Sequence, residues 1–310
     1  MIKPIYLDTN LWNRLFEQEA NALRLLDGLK AGNANLALSG QTVCELSRTF
    51  QSYPQKAQQL FQYIKLYVDA GIIGAHSNME QLFREIDAMH ARASVAVAYY
   101  SPAEYAALKI EIDRMAGGDF SEVARKFVDE RRLFAESTRE DQKQHFVTRP
   151  DMRDILRAIP KSDLPAWLQR EILSDQGTAL LAGHILRIFE SVEIEVAINN
   201  AFHLLRLPTR ISKSLVRADL FSNWRCANTD AVPKDLVDDM YHVLNASYCS
   251  VYATADANQM KYASLLLRDM TKIAFHDNQS PIDEWLLSLV EDAVATAIPR
   301  TENDSAYAPN

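Results

Sequence analysis

The chain has 310 residues, enough for one large domain or two of ordinary size. With 48% hydrophobic and 24% charged residues it is neither disordered nor fibrous, and a formal net charge of -8 argues against a surface that gathers nucleic acid or anionic lipid without discrimination. The three cysteines, Cys44, Cys226 and Cys249, have no C-x-x-C spacing and cannot all pair, which argues against a zinc ribbon or disulfide framework and for a reducing compartment.

The first apolar run, "PIYL", is short and branched enough for a buried strand and stops at Asp8. Leu11, Leu15, Ala22, Leu26 and Leu29 then recur near helical spacing up to a stop at Gly32. "LALS" (36–39) predicts a second strand, followed by a helix around 42–51. Residues 54–230 read as helical almost throughout, including "FSEVARKFVDERRLFAE", with "GIIGA" (71–75) as the one hint of another strand. The alternating pattern returns with "CSVYAT" (249–254), a helix over 256–270, "KIAF" (272–275) and a helix over 281–297, before a loose tail. Alternating strands and helices imply a parallel sheet flanked by helices, because parallel strands need crossover connections. The expected organisation is therefore an α/β domain in two parts, 1–53 and 231–298, interrupted by a large all-helical insertion over 54–230 between the second and the late strands, with a flexible tail at 299–310. No basic segment followed by a long apolar one opens the sequence, and no apolar stretch is long enough to span a bilayer, so a cytoplasmic protein without membrane contact is expected.

Acidic residues recur at the predicted strand-to-helix junctions: Asp8 after the first strand, Glu45 in the first turn after the second, Asp239 opening a late helix and Asp256 after the next strand. In a parallel sheet such junctions share one edge, the usual place for ligands. Hard oxygen donors without a Cys or His cluster suit Mg²⁺ or Mn²⁺. Each acid also has a purely structural reading. Asp8 or Asn10 can cap the first helix, Thr42 with Glu45 and Asp256 with Gln259 fit capping boxes, and Asp239 is favoured near a positive helix end.

Taken together, "YLDTN", "SGQTVCEL", "DDMYHVLNASYCSVYATAD" and the following "KYA" resemble the motifs of PIN-like nucleases, compact α/β domains that cut RNA, or sometimes DNA, with Mg²⁺ or Mn²⁺. The resemblance covers about 50 residues at the start and 50 near the end. It implies Asp8, Glu45, Asp239 and Asp256 as metal-holding catalytic acids, and it places the polar residue after the first acid on Asn10 and the threonine of "T-x-D" on Thr254. Asp239 is preferred to Asp238 because its phase with His242 matches, Asp235 and Asp277 are weaker candidates, and His242 reads as a core or supporting residue rather than a general base. The long helical middle departs from the compact family form.

Arg48 and Lys261, each about a turn beyond a proposed ligand, suit contact with substrate phosphate or pairing with the acids. Arg206, Arg210, Lys213, Arg217 and Arg225, with Phe221 and Trp224, form either a phosphate-and-base platform or a helix packed on a core. Phosphate-loop, dinucleotide, zinc-protease and serine-hydrolase motifs are all missing from the sequence. The function expected is a metal-dependent endonuclease acting on single-stranded or structured RNA in preference to DNA, with room for a regulatory protein partner on the helical insertion and for a homodimer. The alternative is a non-catalytic binding or scaffold protein acting through that insertion.

Overall fold

The computed structural model describes residues 2–93, 99–120, 150–189, 191–229, 236–268 and 270–295, with isolated positions between 129 and 140. The expected helix over 120–136, Asp235 and the tail lie outside these residues, apart from those positions and Phe120.

Strand β1 (Lys3–Leu7) is buried over its last four residues because it has a parallel partner on each side, β2 (Ala34–Ser39) and β4 (Val251–Thr254). Ile5 is in register with Leu36 on one side and Val251 on the other. Two outer strands, β3 (Ile73–Ala75) and β5 (Lys272–Phe275), complete an all-parallel five-stranded sheet in the order β3-β2-β1-β4-β5. The α/β class is therefore as expected. The segment between the second and late strands is not all helical, however: β3 pairs with β2, so the sheet body continues to residue 75 and the long helical stretch begins after it. Three residues, one of them Gly74, give only the hint of a strand that "GIIGA" carries.

The period-two alternation of strand side chains divides the interior into two cores. Ile5, Leu7, Leu36, Leu38, Val251 and Ala253 face one core with the helices α1 (Thr9–Glu17), α2 (Ala22–Ala31), α3 (Gly40–Ser47), α4 (Thr49–Ser52), α5 (Pro54–Asp69) and, beyond α6 (Asn78–His90), α7 (Pro102–Ala116), whereas α6 packs on the other side through Leu82 and Ile86. Tyr6, Ala37 and Tyr252 face the second core, together with residues of α8 (Pro150–Arg157), α9 (Leu164–Glu171), α10 (Asp175–Ile188), α11 (Ile194–Arg206), α12 (Ile211–Asn228), α13 (Leu236–Leu244) and α14 (Ala257–Leu266). The helical middle thus buries its apolar faces in the same core as the sheet. The last helix, α15 (Ile282–Ala295), returns to the first core through Ile282 and Leu286.

One predicted helix is two. Glu19 adopts φ 49 and breaks the run after α1, and Asn21 starts α2 by accepting from the Arg24 N–H at 3.0 Å. Apolar spacing alone continued across the gap because Leu15 and Ala22 are both buried.

The join between α6 and α12 rests on Glu85, which is fully buried. Its Oε1 accepts from the backbone of Arg210 at 2.6 Å and of Ile211 at 2.9 Å, its Oε2 from the backbone of Ser212 at 3.0 Å, and the hydroxyls of Ser212 and Tyr248 also donate to it. The carboxylate therefore satisfies the open N–H groups at the start of α12 and sits at the positive end of its dipole. Replacing Glu85 with Ala is expected to lower stability by about 3 kcal/mol, since several buried donors lose their acceptor at once; urea unfolding would measure it, and a loss within about 0.5 kcal/mol, the range of ordinary surface changes, would contradict this account.

Candidate functional site

At the carboxyl end of β1 the backbone N–H of Asp8 still pairs with the Ala253 carbonyl at 3.0 Å, so the side chain is held in the middle of the sheet edge. Asp8 is only 2% exposed. It caps α1, Oδ1 accepting from the Leu11 N–H at 2.8 Å, while Oδ2 accepts from the Thr254 hydroxyl. Thr254 in turn accepts from the Asp256 N–H at 2.9 Å, which links the first and last acids through one side chain.

Glu45 lies one turn into α3. The helix is capped not by Thr42 but by Ser39, whose hydroxyl accepts from the Thr42 N–H at 3.2 Å. The Thr42–Glu45 capping box is therefore not formed. Ser39 wins because the Tyr6 hydroxyl, 2.7 Å from it and 3.1 Å from Thr42, ties this junction to β1. Freed from capping, the Glu45 carboxylate accepts from Gln41 at 2.9 Å and from the Thr9 hydroxyl.

Asp256 caps α14, accepting from the N–H groups of Asn258 at 2.6 Å and Gln259 at 3.1 Å. The expected reciprocal box is again incomplete. Instead of reaching back, the Gln259 side chain donates to Asp239 at 2.9 Å and accepts from the Tyr252 hydroxyl at 2.8 Å. Asp239 stands in the first turn of α13, and His242, on the next turn, is buried against the Tyr6 ring with its Nδ1 3.8 Å from Glu45. Neither nitrogen of His242 has a hydrogen-bond partner.

The electrostatics differ from acid to acid. Burial pushes the Asp8 carboxyl above its ordinary range; hydrogen bonds from Thr254 and Leu11 and the neighbouring His242 oppose the rise without cancelling it, and Asp256 adds to it. Burial acts the same way on Glu45, yet His242, Thr9, Gln41 and Arg48 together hold it below the usual carboxylate range. The Tyr252 hydroxyl is kept from ionising by burial first and then by the nearby Asp8, Tyr6, Glu45 and Asp239. The sheet edge thus links the four predicted acids through shared neighbours: Asp8, Glu45 and Asp239 through Tyr252, Asp8 and Glu45 through His242, and Asp8 and Asp256 through Thr254. It does not bring three of them into one tight shell: among the described residues, the only set of three or more His, Cys, Asp or Glu whose ligand atoms lie within 4.8 Å of one another is His76, Glu80 and Glu104.

The remaining sequence candidates divide. Arg48 is half-buried near Glu45 and acts on its charge, Asn10 and Lys261 are exposed, and Asp277 turns back to accept from the Gln279 N–H at 3.0 Å. The basic strip on α12 takes the packed reading. Arg217 is buried and donates to the Leu266 and Arg268 carbonyls at 3.3 and 3.2 Å, Arg210 donates to the Met270 carbonyl at 3.1 Å, and Phe221 and Trp224 belong to the core. Sequence reasoning missed Thr9 and Gln41 as partners of Glu45 and Gln259 as the partner of Asp239. Only Gln41, four residues before Glu45 on the same helix, left a signal in the sequence.

No family model, no curated protein and no solved structure matches the chain. No helix among the described residues is long and apolar enough to cross a membrane.

The raised Asp8 carboxyl has a stability consequence. In the folded state it holds its proton to higher pH than in the unfolded chain, so its ionisation costs stability increasingly as pH rises from the unfolded value through the folded one, and costs nothing below the unfolded value. Asn keeps an acceptor for Leu11 and carries no charge. Asp8→Asn is therefore expected to melt higher than the parent near pH 7, with the gap closing as the pH falls toward the unfolded value of about 4; a lower melting temperature at pH 7 would count against the account.

Proposed function

We propose that the protein is a metal-dependent nuclease of PIN-like type, cutting phosphodiester bonds in RNA in preference to DNA, with Mg²⁺ or Mn²⁺ as its ion. The observation that carries this reading is Asp8, a carboxylate 2% exposed at the centre of a parallel sheet edge, with Glu45 and Asp239 bearing on the same Tyr252 and Asp256 linked to it through Thr254. A purely structural cap has no need of such company, since carboxylates crowded together oppose one another's ionisation unless a cation intervenes.

The donor set fits the ion. All four candidates are hard oxygen donors, and a set wider than a single tight shell suits a cation that keeps several of its own waters, as Mg²⁺ does. Each acid is held on one side by the protein: Asp8 by Leu11 and Thr254, Glu45 by Gln41 and Thr9, Asp239 by Gln259, and Asp256 by the start of α14. When bound, the ion would supply an ionisable water and positive charge against the phosphate oxygens. In this reading Thr254 fixes the aim of Asp8, His242 offsets the charge of Glu45 and Asp8, and Arg48, Lys261 and Asn10 would meet a phosphate or its water. RNA and the family itself rest on the likeness of the sequence motifs.

A second reading, a binding or scaffold protein that works through its helices, draws on an exposed apolar row along α11, Ile194, Ile198 and Phe202 at 64, 45 and 43% exposure. Such a row suits a protein partner. The two readings separate in one assay. Labelled single-stranded RNA and DNA incubated with the protein in Mn²⁺, Mg²⁺ or EDTA are expected to show metal-dependent cutting, RNA first, that falls by about 100-fold or more in Asp8→Asn and Asp256→Asn. Equal cutting by the variants, or none by the parent in either metal, would favour the scaffold reading.

A further inference from the structure

The carboxyl end of β3 carries a second group of ligand-type side chains that the acidic site does not use. His76 follows β3 directly, and Ser77 caps α6 by accepting from the Glu80 N–H at 3.3 Å, which sets Glu80 in the first turn. Glu104 arrives from α7, where its carboxylate Oε2 accepts from the Ser101 N–H at 2.6 Å. The three ligand atoms lie within 4.8 Å of one another, with His76 Nε2 3.8 Å from Glu104 Oε2.

His76 gives an observation independent of the acids. Its side chain is almost wholly buried, the residue being 2% exposed, and Nε2 has no hydrogen-bond partner, although a buried polar atom without one costs free energy. The rest of the ring is fixed, by a hydrogen bond with the Tyr99 backbone and by edge contact with Tyr100 at 5.1 Å. Gly74 permits that contact: a Cβ there would come 2.3 Å from the Tyr100 ring. An imidazole anchored on one side to backbone and open on the other is the arrangement that orients a metal-binding histidine.

Arg84 is the opposing charge. Its Nε is 3.1 Å from Glu80 Oε1 and its Nη2 3.7 Å from Glu104 Oε1, so it engages the Oε1 atoms and leaves Glu104 Oε2 toward His76. Arg84 therefore offsets part of the repulsion between the acids, and its charge also bears on His76. All three candidate ligands also line a cavity of about 590 Å³, whose wall includes Gln41, Tyr100, Leu108 and Asn245.

We infer that His76, Glu80 and Glu104 form a second divalent-cation site, separate from the four acids and selective for Zn²⁺ over Mg²⁺. One imidazole nitrogen and two carboxylates are the mixed donors Zn²⁺ accepts, whereas Mg²⁺ prefers oxygen and water alone. Three protein ligands leave a position for water or a ligand oxygen from the cavity.

The test uses the 310-residue chain carrying Asp8→Asn and Asp256→Asn, so that the proposed nuclease site is silenced and its failure cannot be confused with failure here. Titration calorimetry with Zn²⁺, paired with the visible absorption of Co²⁺, is expected to show one equivalent bound, and His76→Gln or Glu80→Gln on that background is expected to weaken binding by about tenfold or more. Glu80 has a side chain 41% exposed, so its variant decides alone if His76→Gln does not fold, as judged by circular dichroism. No Zn²⁺ binding in the micromolar range, or binding undiminished in either folded variant, would overturn the site and leave an ion-pair cluster closed by Arg84.

Discussion

The all-parallel pairing around β1 is the constraint on which the rest of the molecule depends. With every strand pointing the same way, each chain segment leaving the sheet does so at one edge, and each enters its helix or turn there. Asp8, Ser39, His76 and Asp256 are all residues of that kind, separated by up to 248 positions in sequence yet delivered to a common rim. Beneath the rim Tyr6 and Tyr252, on neighbouring strands and stacked at 6.0 Å, turn their hydroxyls outward to the polar side chains of the junctions. The polar edge therefore has an aromatic foundation that belongs to the core.

The same constraint explains what the helices of the middle do. One face of a parallel sheet buried by α1, α2, α5 and α15 leaves the other needing an equal cover, because parallel sheets are apolar on both sides. Tyr6, Ala37 and Tyr252 find that cover in α9 through α14. Arg210 and Arg217 then serve the packing, giving their guanidinium groups to loop carbonyls that the helices leave open. A stretch that departs from a compact α/β plan in sequence is, in space, the second half of the sandwich.

How much of this could be read from sequence follows from the range of the forces involved. Strands β1, β2, β4 and β5 were legible because each is a short branched run between turn residues, and Asp8 and Asp256 because a helix start and a rim position demand the same residue type. The capping partners were not legible. Ser39 displaces Thr42 through a contact with Tyr6 that is 33 residues away, and Gln259 abandons its reciprocal box for Asp239, 20 residues back. The group at His76 was invisible for the same reason: Glu104 and the Tyr99 backbone approach it only once β3 has joined the sheet and α7 has packed. Periodicity reports what a segment does to itself; it carries no record of which segments meet.

The buried carboxylates show how structure and readiness to bind can be told apart. A carboxylate offers about four acceptor positions. Glu85 receives five donors, three of them backbone N–H groups, so its capacity is filled and its work is to hold α6 to α12. Asp8 is buried almost as deeply but receives two donors, from Leu11 and Thr254, and faces other acids where Glu85 faces a helix start. Burial favours the neutral form of Asp8, and only further donors or an outside cation would restore its charge. Glu85 already has its donors. At Asp8 the protein has left acceptor capacity open in the middle of a negatively charged rim, which is the condition a cation would relieve and a helix cap alone would not require.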